Sequence, residues 1–401
     1  MNTLASLPEL DPVDVFARAD PARILAARRE GGWALGSQYG IHLMTYDACW
    51  ELLRDNRYRI GVTAMLDDAG LTDPVVRDQW MTALLGAPIV DHDRMRRLMS
   101  PYFTKRSIDR LGGYLTALTE RLVDGAAADG RVEFMSEIAL PVPPAVFCRM
   151  IGAPEADATQ IGALSESVLQ IFHRDPALAA EIERSVHDLL AYVQGFVDDR
   201  RAGERGDDMV STLLAAEEGG ERLSPKELLA LVLEVLEAST DNTANQLGFV
   251  LLAAAGRPDD WTELRRDPSL IPAFVEEASR LHPRVGSITR VSDEDTVFRD
   301  LPVPAGTVLF ATVPSAHLDP EAYVDVERFD LRRSDRRANL NYGSGNHYCI
   351  GASLARMEMT RVLEVLVRRW EHVELADEPA TYGNIGVYAV ERLPLAVTLA
   401  R

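Results

Sequence analysis

The 401-residue sequence predicts a mainly α protein with small β-sheets, in which one long helix runs through the centre and β-rich segments lie near both ends. Three observations carry this. Apolar residues recur at three- and four-residue spacing over about 91–282 and again over about 350–370, the periodicity of helices with one buried face. The segment 223–258 stays apolar through most of its length. A helix of about 30 residues spans roughly 45 Å, so one this apolar has to run through the middle of the molecule. Alternating, turn-rich stretches fall at about 20–60, 286–330 and 372–401. These strand segments flank the helical stretch on both sides, so they are expected to pair across the chain. Residues 1–401 therefore read as one continuous domain.

Taken in order, GWALGSQYGIHLMTY (32–46) alternates apolar residues about a glycine-containing turn and reads as a β-hairpin. YDACWELLRD follows as a short helix. SIDRLGGYLTALTERLVDGA and AAEIERSVHDLLAYVQGFVDDRRAG carry helical periodicity. The long segment has its own punctuation. Ser224 caps it, Pro225 suits its first turn, Glu227 completes a capping box, and Gly256 with Pro258 ends it. DPSLIPAFVEEASRLHP gives another helix, ITRVSDEDTVFRDLPVPAGTVLFATV gives strands, and an irregular stretch leads to the last helix and a β-like tail.

Composition narrows the function classes. A net charge of −20 disfavours nucleic acid as a partner, because phosphate recognition needs clustered Lys and Arg. No stretch reaches the ~20 apolar residues of a membrane span, and MNTLASLPELDP lacks the pattern of a signal peptide. Cys49, Cys148 and Cys349 are few, odd in number and far apart, so no disulfide framework is expected. The expected location is the bacterial cytoplasm.

One of those cysteines sits in NYGSGNHYCIGASLAR (341–356). A lone cysteine is most often a small buried hydrophobe. Here Gly343, Gly345 and Gly351 allow tight turns and close approach to a flat partner. Cys349 directly precedes a helix, whose unpaired N–H groups favour a thiolate. A nucleophile would want a base, and His347 is near, but no other catalytic signature accompanies it. A zinc site needs more ligands than the sequence offers. A single thiolate suits haem iron, where the porphyrin supplies four donors.

The run Tyr342-Gly343-Ser344-Gly345-Asn346-His347-Tyr348-Cys349-Ile350-Gly351 also resembles the haem-binding loop of the cytochromes P450, F-G-x-G-x-H-x-C-x-G, with Tyr342 in place of the usual Phe. Glu277-Ala278-Ser279-Arg280 resembles the family's E-x-x-R helix, with Arg328 as the candidate third partner. DHDRMRRLMSPYFT resembles its third-helix segment. The resemblance implies the cytochrome P450 fold and haem b as cofactor. His92, Arg96, Arg290 and His347 would hold the propionates, and Cys349 would ligate iron.

The resemblance places Ala238-Ser239-Thr240-Asp241-Asn242-Thr243 where the family's central helix carries A-G-x-[DE]-T-[ST] over the haem. Asp241 supplies the acid that guides protons to dioxygen. Asn242 stands at the threonine position, and Thr243 lies about 100° round the helix. Glu234, Glu237 and Ala238 are expected on the same face as Asn242. Two carboxylates there would favour a substrate bearing N–H donors, an amino-acid- or peptide-derived natural product. The resemblance also implies pocket walls from a loop over 61–90 and from Val285, Ile288 and Val387. Phe172 and Trp80 are read as core. The implied activity is oxidation of a small molecule with dioxygen. Electrons would come from ferredoxin and ferredoxin reductase, docking near basic residues among Lys105, Arg106, Arg332, Arg333, Arg336 and Arg337. Oxidative C–C or C–N coupling without oxygen insertion is one alternative. A non-catalytic haem sensor is another.

Overall fold

The structure, a computed structural model, describes residues 7–17, 19–126, 130–218 and 223–400. Alternation at 32–46 does produce a hairpin. Ala34–Ser37 and Gly40–Leu43 pair antiparallel, Ala34 opposite Leu43. The second strand then pairs in parallel with Val308–Thr312, placing Ile41 opposite Leu309. Ser287–Val291 closes the four-stranded sheet on the other side. Gly40 is required at the crossing. Its φ is +139°, and a Cβ there would sit 2.1 Å from the Val308 carbonyl oxygen. A second sheet joins Arg131–Glu133, Pro394–Leu399 and Trp370–Leu375. Both sheets thus join strands far apart in the sequence.

The central helix is Pro225–Ala255. Its capping box is complete, with the Ser224 hydroxyl accepting from the Glu227 N–H and the Glu227 carboxylate accepting from the Ser224 N–H. Its 31 residues span about 46 Å. Nearly every turn contributes a buried side chain, including Leu228, Leu231, Leu236, Leu247 and Val250. Each such side chain stabilises the fold by roughly 1.5–3 kcal/mol relative to exposure. The helix packs against Val142–Ile151, Ala158–Leu169, Ala179–Ala202, Ile271–Leu281 and Ala352–Arg369, and against the strand Tyr388–Arg392. It is a buried axis on which the cavity described below is built.

Three expectations are corrected. Residues 61–90 are not a plain loop, because Val62–Asp68 and Pro74–Thr82 are helices. Asp73 caps the second by accepting from the Val75 and Val76 amides, with Pro74 in the first turn, a start signal legible in the sequence. A short strand, Arg131–Glu133, interrupts the helical stretch because Val132 pairs with Leu395. The third correction concerns Arg328. The Glu277–Arg280 ion pair is present and buried, at 2.8 Å. Its other partner is Arg333, whose Nε lies 3.0 Å from Glu277 Oε1. Arg328 is exposed and contributes only its carbonyl, which accepts from Arg280 and Arg333. Arg333 is likewise removed from the expected basic surface. No helix among the described residues is long and apolar enough to cross a membrane.

Candidate active site

The loop around Cys349 is closed by its own backbone. The Cys349 N–H donates to the Tyr342 carbonyl at 2.9 Å, and the Tyr348 N–H donates to Gly345 at 3.0 Å. Gly345 adopts φ +72° because the loop lies on the helix Tyr46–Arg54, where a Cβ would meet the Leu53 carbonyl oxygen at 2.5 Å. Gly351 then opens the helix Ala352–Arg369. Cys349 is free, as are Cys49 and Cys148. It is exposed, and its side chain lines a cavity. Burial pushes the thiol up, and this outweighs the helix-start amides of Gly351 and Ala352 and the Arg96 and Arg356 charges, which pull it down. The helix-start amides thus act in the expected direction, and burial outweighs them. A metal cation would supply the missing charge.

The cavity measures about 370 Å³. Cys349, Tyr342, Gly351 and Leu354 line one side. The central helix lines another through Val235, Ala238, Ser239, Asn242, Thr243 and Gln246, one stripe at three- and four-residue spacing. Val285, Ile288 and Val387 also lie in the wall, where Val285 bridges to Val387. Phe172 lines the cavity, whereas Trp80 is core. Gln246 was overlooked, although it follows Asn242 by one helical turn. Its Oε1 accepts from Asn341 Nδ2 at 2.6 Å and from the Arg284 N–H at 2.9 Å, buttressing the Cys349 side against the strand Ser287–Val291.

Glu234 and Glu237 are not in this wall. At about 100° per residue they stand about 80° and 140° round the helix from Asn242, so the expected shared face was an error of phase. Glu234 accepts from the backbone N–H groups of Leu84 and Leu85, at 2.6 and 3.0 Å. Glu237 is buried, its Oε1 has no partner, and burial holds its carboxyl well above the usual range. Asp241 also turns away. It pairs with Arg284 and accepts from Asn245 Nδ2 at 2.7 Å, facing a separate cavity of about 400 Å³ shared with Glu166. The direct placement of Asp241 beside the Cys349 cavity is corrected accordingly. Arg284 lines the Cys349 cavity, so this ion pair reaches from one cavity to the other.

Four cationic or potentially cationic groups expected to hold propionates gather about the Cys349 loop, although none of them lines the cavity itself. Arg290 is 2% exposed, donates only to the Thr289 carbonyl, and has no carboxylate in ion-pair range among the described residues. Burial lowers it to about 10. Arg96 donates to the Tyr348 carbonyl at 2.6 Å and is also without such a carboxylate among those residues. The His92 and His347 rings lie 4.3 Å apart between centroids. Burial, then the neighbouring His92 and the charges of Arg290 and Arg96, pushes His347 down to about 3. Buried cations need anions. Arg290 and Arg96 therefore suit a ligand that brings its own carboxylates to the Cys349 loop, as iron protoporphyrin does, while His347 is neutral and His92 already has Asp93 at 2.9 Å.

Comparison with known proteins agrees. A family model described as Cytochrome P450 matches residues 260–387. The chain is 30% identical over 394 residues to luteothin monooxygenase of Streptomyces thioluteus, covering 98% of this chain and 96% of that one. It is 32% identical over 417 residues to cytochrome P450 monooxygenase PikC of Streptomyces venezuelae, covering 98% and 95%. Among solved structures, epothilone B-bound cytochrome P450epoK superposes with a TM-score of 0.89 at 25% identity, covering 96% and 97%.

Proposed function

The chain belongs to the cytochrome P450 family and is a haem-thiolate monooxygenase, and on that premise we propose that it oxidises a mainly apolar, polyketide-type natural product. The observation that carries this reading is the cavity itself. Its thiol side faces a stripe of small and polar residues on the central helix, and Ile60, Val62, Met65, Leu85, Val285, Ile288 and Val387 supply apolar walls. Relatives named for polyketide biosynthesis and for erythromycin C-12 hydroxylation support the same substrate class. The amino-acid-derived substrate rested on Glu234 and Glu237 facing the pocket and is withdrawn with that placement.

Haem b, held through Cys349 Sγ and by Arg96, Arg290, His92 and His347 at its propionates, would supply reductive activation of dioxygen and transfer of one oxygen atom. The chain's own groups do the rest. Apolar walls exclude water and orient the substrate. Ala238 and Ser239 leave room above the thiol side. Asn242 offers an amide that orients water by accepting and donating, and Thr243 offers a hydroxyl that can pass a proton. Electrons come from a redox partner. We assign that role to a ferredoxin with its reductase, docking near Lys105 and Arg106, which follow Phe103 beside Gly351. Oxidative coupling remains the second reading, favoured by Asn242 where a threonine would serve oxygen insertion.

Titration of the haem-loaded enzyme with macrolide and linear polyketide lactones should give a low- to high-spin shift, and the product should gain one oxygen atom. A product that instead loses two hydrogens supports the coupling reading. Shifts with basic amino-acid derivatives and none with polyketides would overturn the assigned class.

A further inference from the structure

We propose that Glu234 is a positioning residue for the substrate: its half-buried carboxylate clamps the Leu84–Leu85 segment onto the central helix and so fixes Leu85 in the cavity wall. The inference rests on the reading of the Cys349 cavity as the haem and substrate site. Residues 83–88 form an irregular connection between the helices Pro74–Thr82 and Ile89–Met99. Irregular backbone in an interior has to find partners for its N–H groups. The amides of Gly86 and Ala87 turn back on the Ala83 carbonyl. Those of Leu84 and Leu85 turn the other way, and each meets one oxygen of Glu234, at 2.6 and 3.0 Å.

The clamp is aimed at one wall residue. Leu85 lines the cavity, and so does Val235, the neighbour of Glu234 on the helix. Other ties join the same two parts of the chain but lie outside the cavity. Gln79 Nε2 donates to the Ala230 carbonyl at 3.3 Å, Lys226 pairs with Asp78, and Arg94 pairs with Glu227. None of these residues lines the cavity, so Glu234 alone among these ties acts at its edge. The carboxylate has no cation in ion-pair range among the described residues. Burial pushes it up to about 7 while the two amides hold it down. Two charge-assisted hydrogen bonds from backbone amides make a stiff joint behind Leu85.

The test uses two iron-coordinating probes of different size, imidazole and 4-phenylimidazole, on haem-loaded protein at pH 8. Glu234→Gln keeps one acceptor and sets an amide group against the second N–H. It should change the 4-phenylimidazole dissociation constant about tenfold, the weight of one charge-assisted hydrogen bond, and leave that of imidazole within twofold. Leu85→Ala should shift the same probe, and the double variant should be non-additive. Equal responses to the two probes, or additive effects, would overturn the proposal. In the unaltered enzyme, hydrogen exchange at the Leu84 and Leu85 amides should be slow. Fast exchange there overturns it even if the variants fail to fold. If neither probe perturbs the haem spectrum of the unaltered protein, the cavity reading fails first.

Discussion

Replacing Arg290 with Met should move the haem-free and haem-bound proteins in opposite directions. Arg290 is a buried cation whose one partner among the described residues is the Thr289 carbonyl. Its value falls from 12.5 to about 10 through burial. That drop, at about 1.4 kcal/mol per unit, puts the cost of keeping the charge at about 3 kcal/mol at neutral pH, where arginine stays protonated in both folded and unfolded chains. Met fills similar volume without the charge, so the haem-free variant should be more stable by up to about 3 kcal/mol. The haem-bound variant loses charge-assisted hydrogen bonds worth roughly 1.5–3 kcal/mol, which speeds haem release about 10- to 150-fold. Urea denaturation of haem-free protein reads the first effect. Haem transfer to an excess of an acceptor globin reads the second. A variant that is less stable without haem and releases haem at the unaltered rate would refute the idea that Arg290 waits for an anion.

Three further outcomes follow from the geometry. Arg333→Ala leaves the buried Glu277 carboxylate with one partner fewer and should cost about 3–5 kcal/mol in thermal or urea unfolding, whereas Arg328→Ala at an exposed position should stay within about 0.5 kcal/mol. His317 is neutral by construction: Nδ1 donates to the Arg280 carbonyl at 3.0 Å, Nε2 accepts from the Leu340 N–H at 3.0 Å, and burial lowers it from 6.5 to about 3. Its folded value lies below its unfolded one, so its contribution is present above about pH 6.5 and is lost as pH falls, by about 1.4 kcal/mol per unit down to about pH 3; His317→Gln should lower the slope of stability against pH by one proton. Asn242→Thr should leave product turnover within a few-fold, and abolished product with haem and substrate still bound would show a chemical role for the amide.

Much of this molecule is readable from residue types alone. The capping box and glycine stop bounded the central helix to within a few residues, because local signals set its ends. The hairpin and the helix after Gly351 were equally legible. The failures share one cause, which is the direction a side chain takes once tertiary partners compete for it. Glu234 and Glu237 were read with too coarse a helical phase, and the backbone amides of Leu84 and Leu85 take Glu234. Asp241 was assigned to the cavity from its neighbours in sequence, yet Arg284, 43 residues on, draws it to another face. Arg333 displaced Arg328 because the irregular chain between Val324 and Asp335 folds so that the later arginine points inward. Nothing in local spacing encodes such a turn. Cys349, by contrast, was found because glycines and a helix start surround it in the chain itself.

The account stands on sulfur of residue 349 binding iron, and the reduced, carbon monoxide-bound spectrum tests this most directly. The unaltered protein should show the strongly red-shifted Soret band of thiolate ligation, and Cys349→His should move that band to the position of an imidazole-ligated haem. A red-shifted band that survives the substitution would place the ligand elsewhere and contradict the site described above.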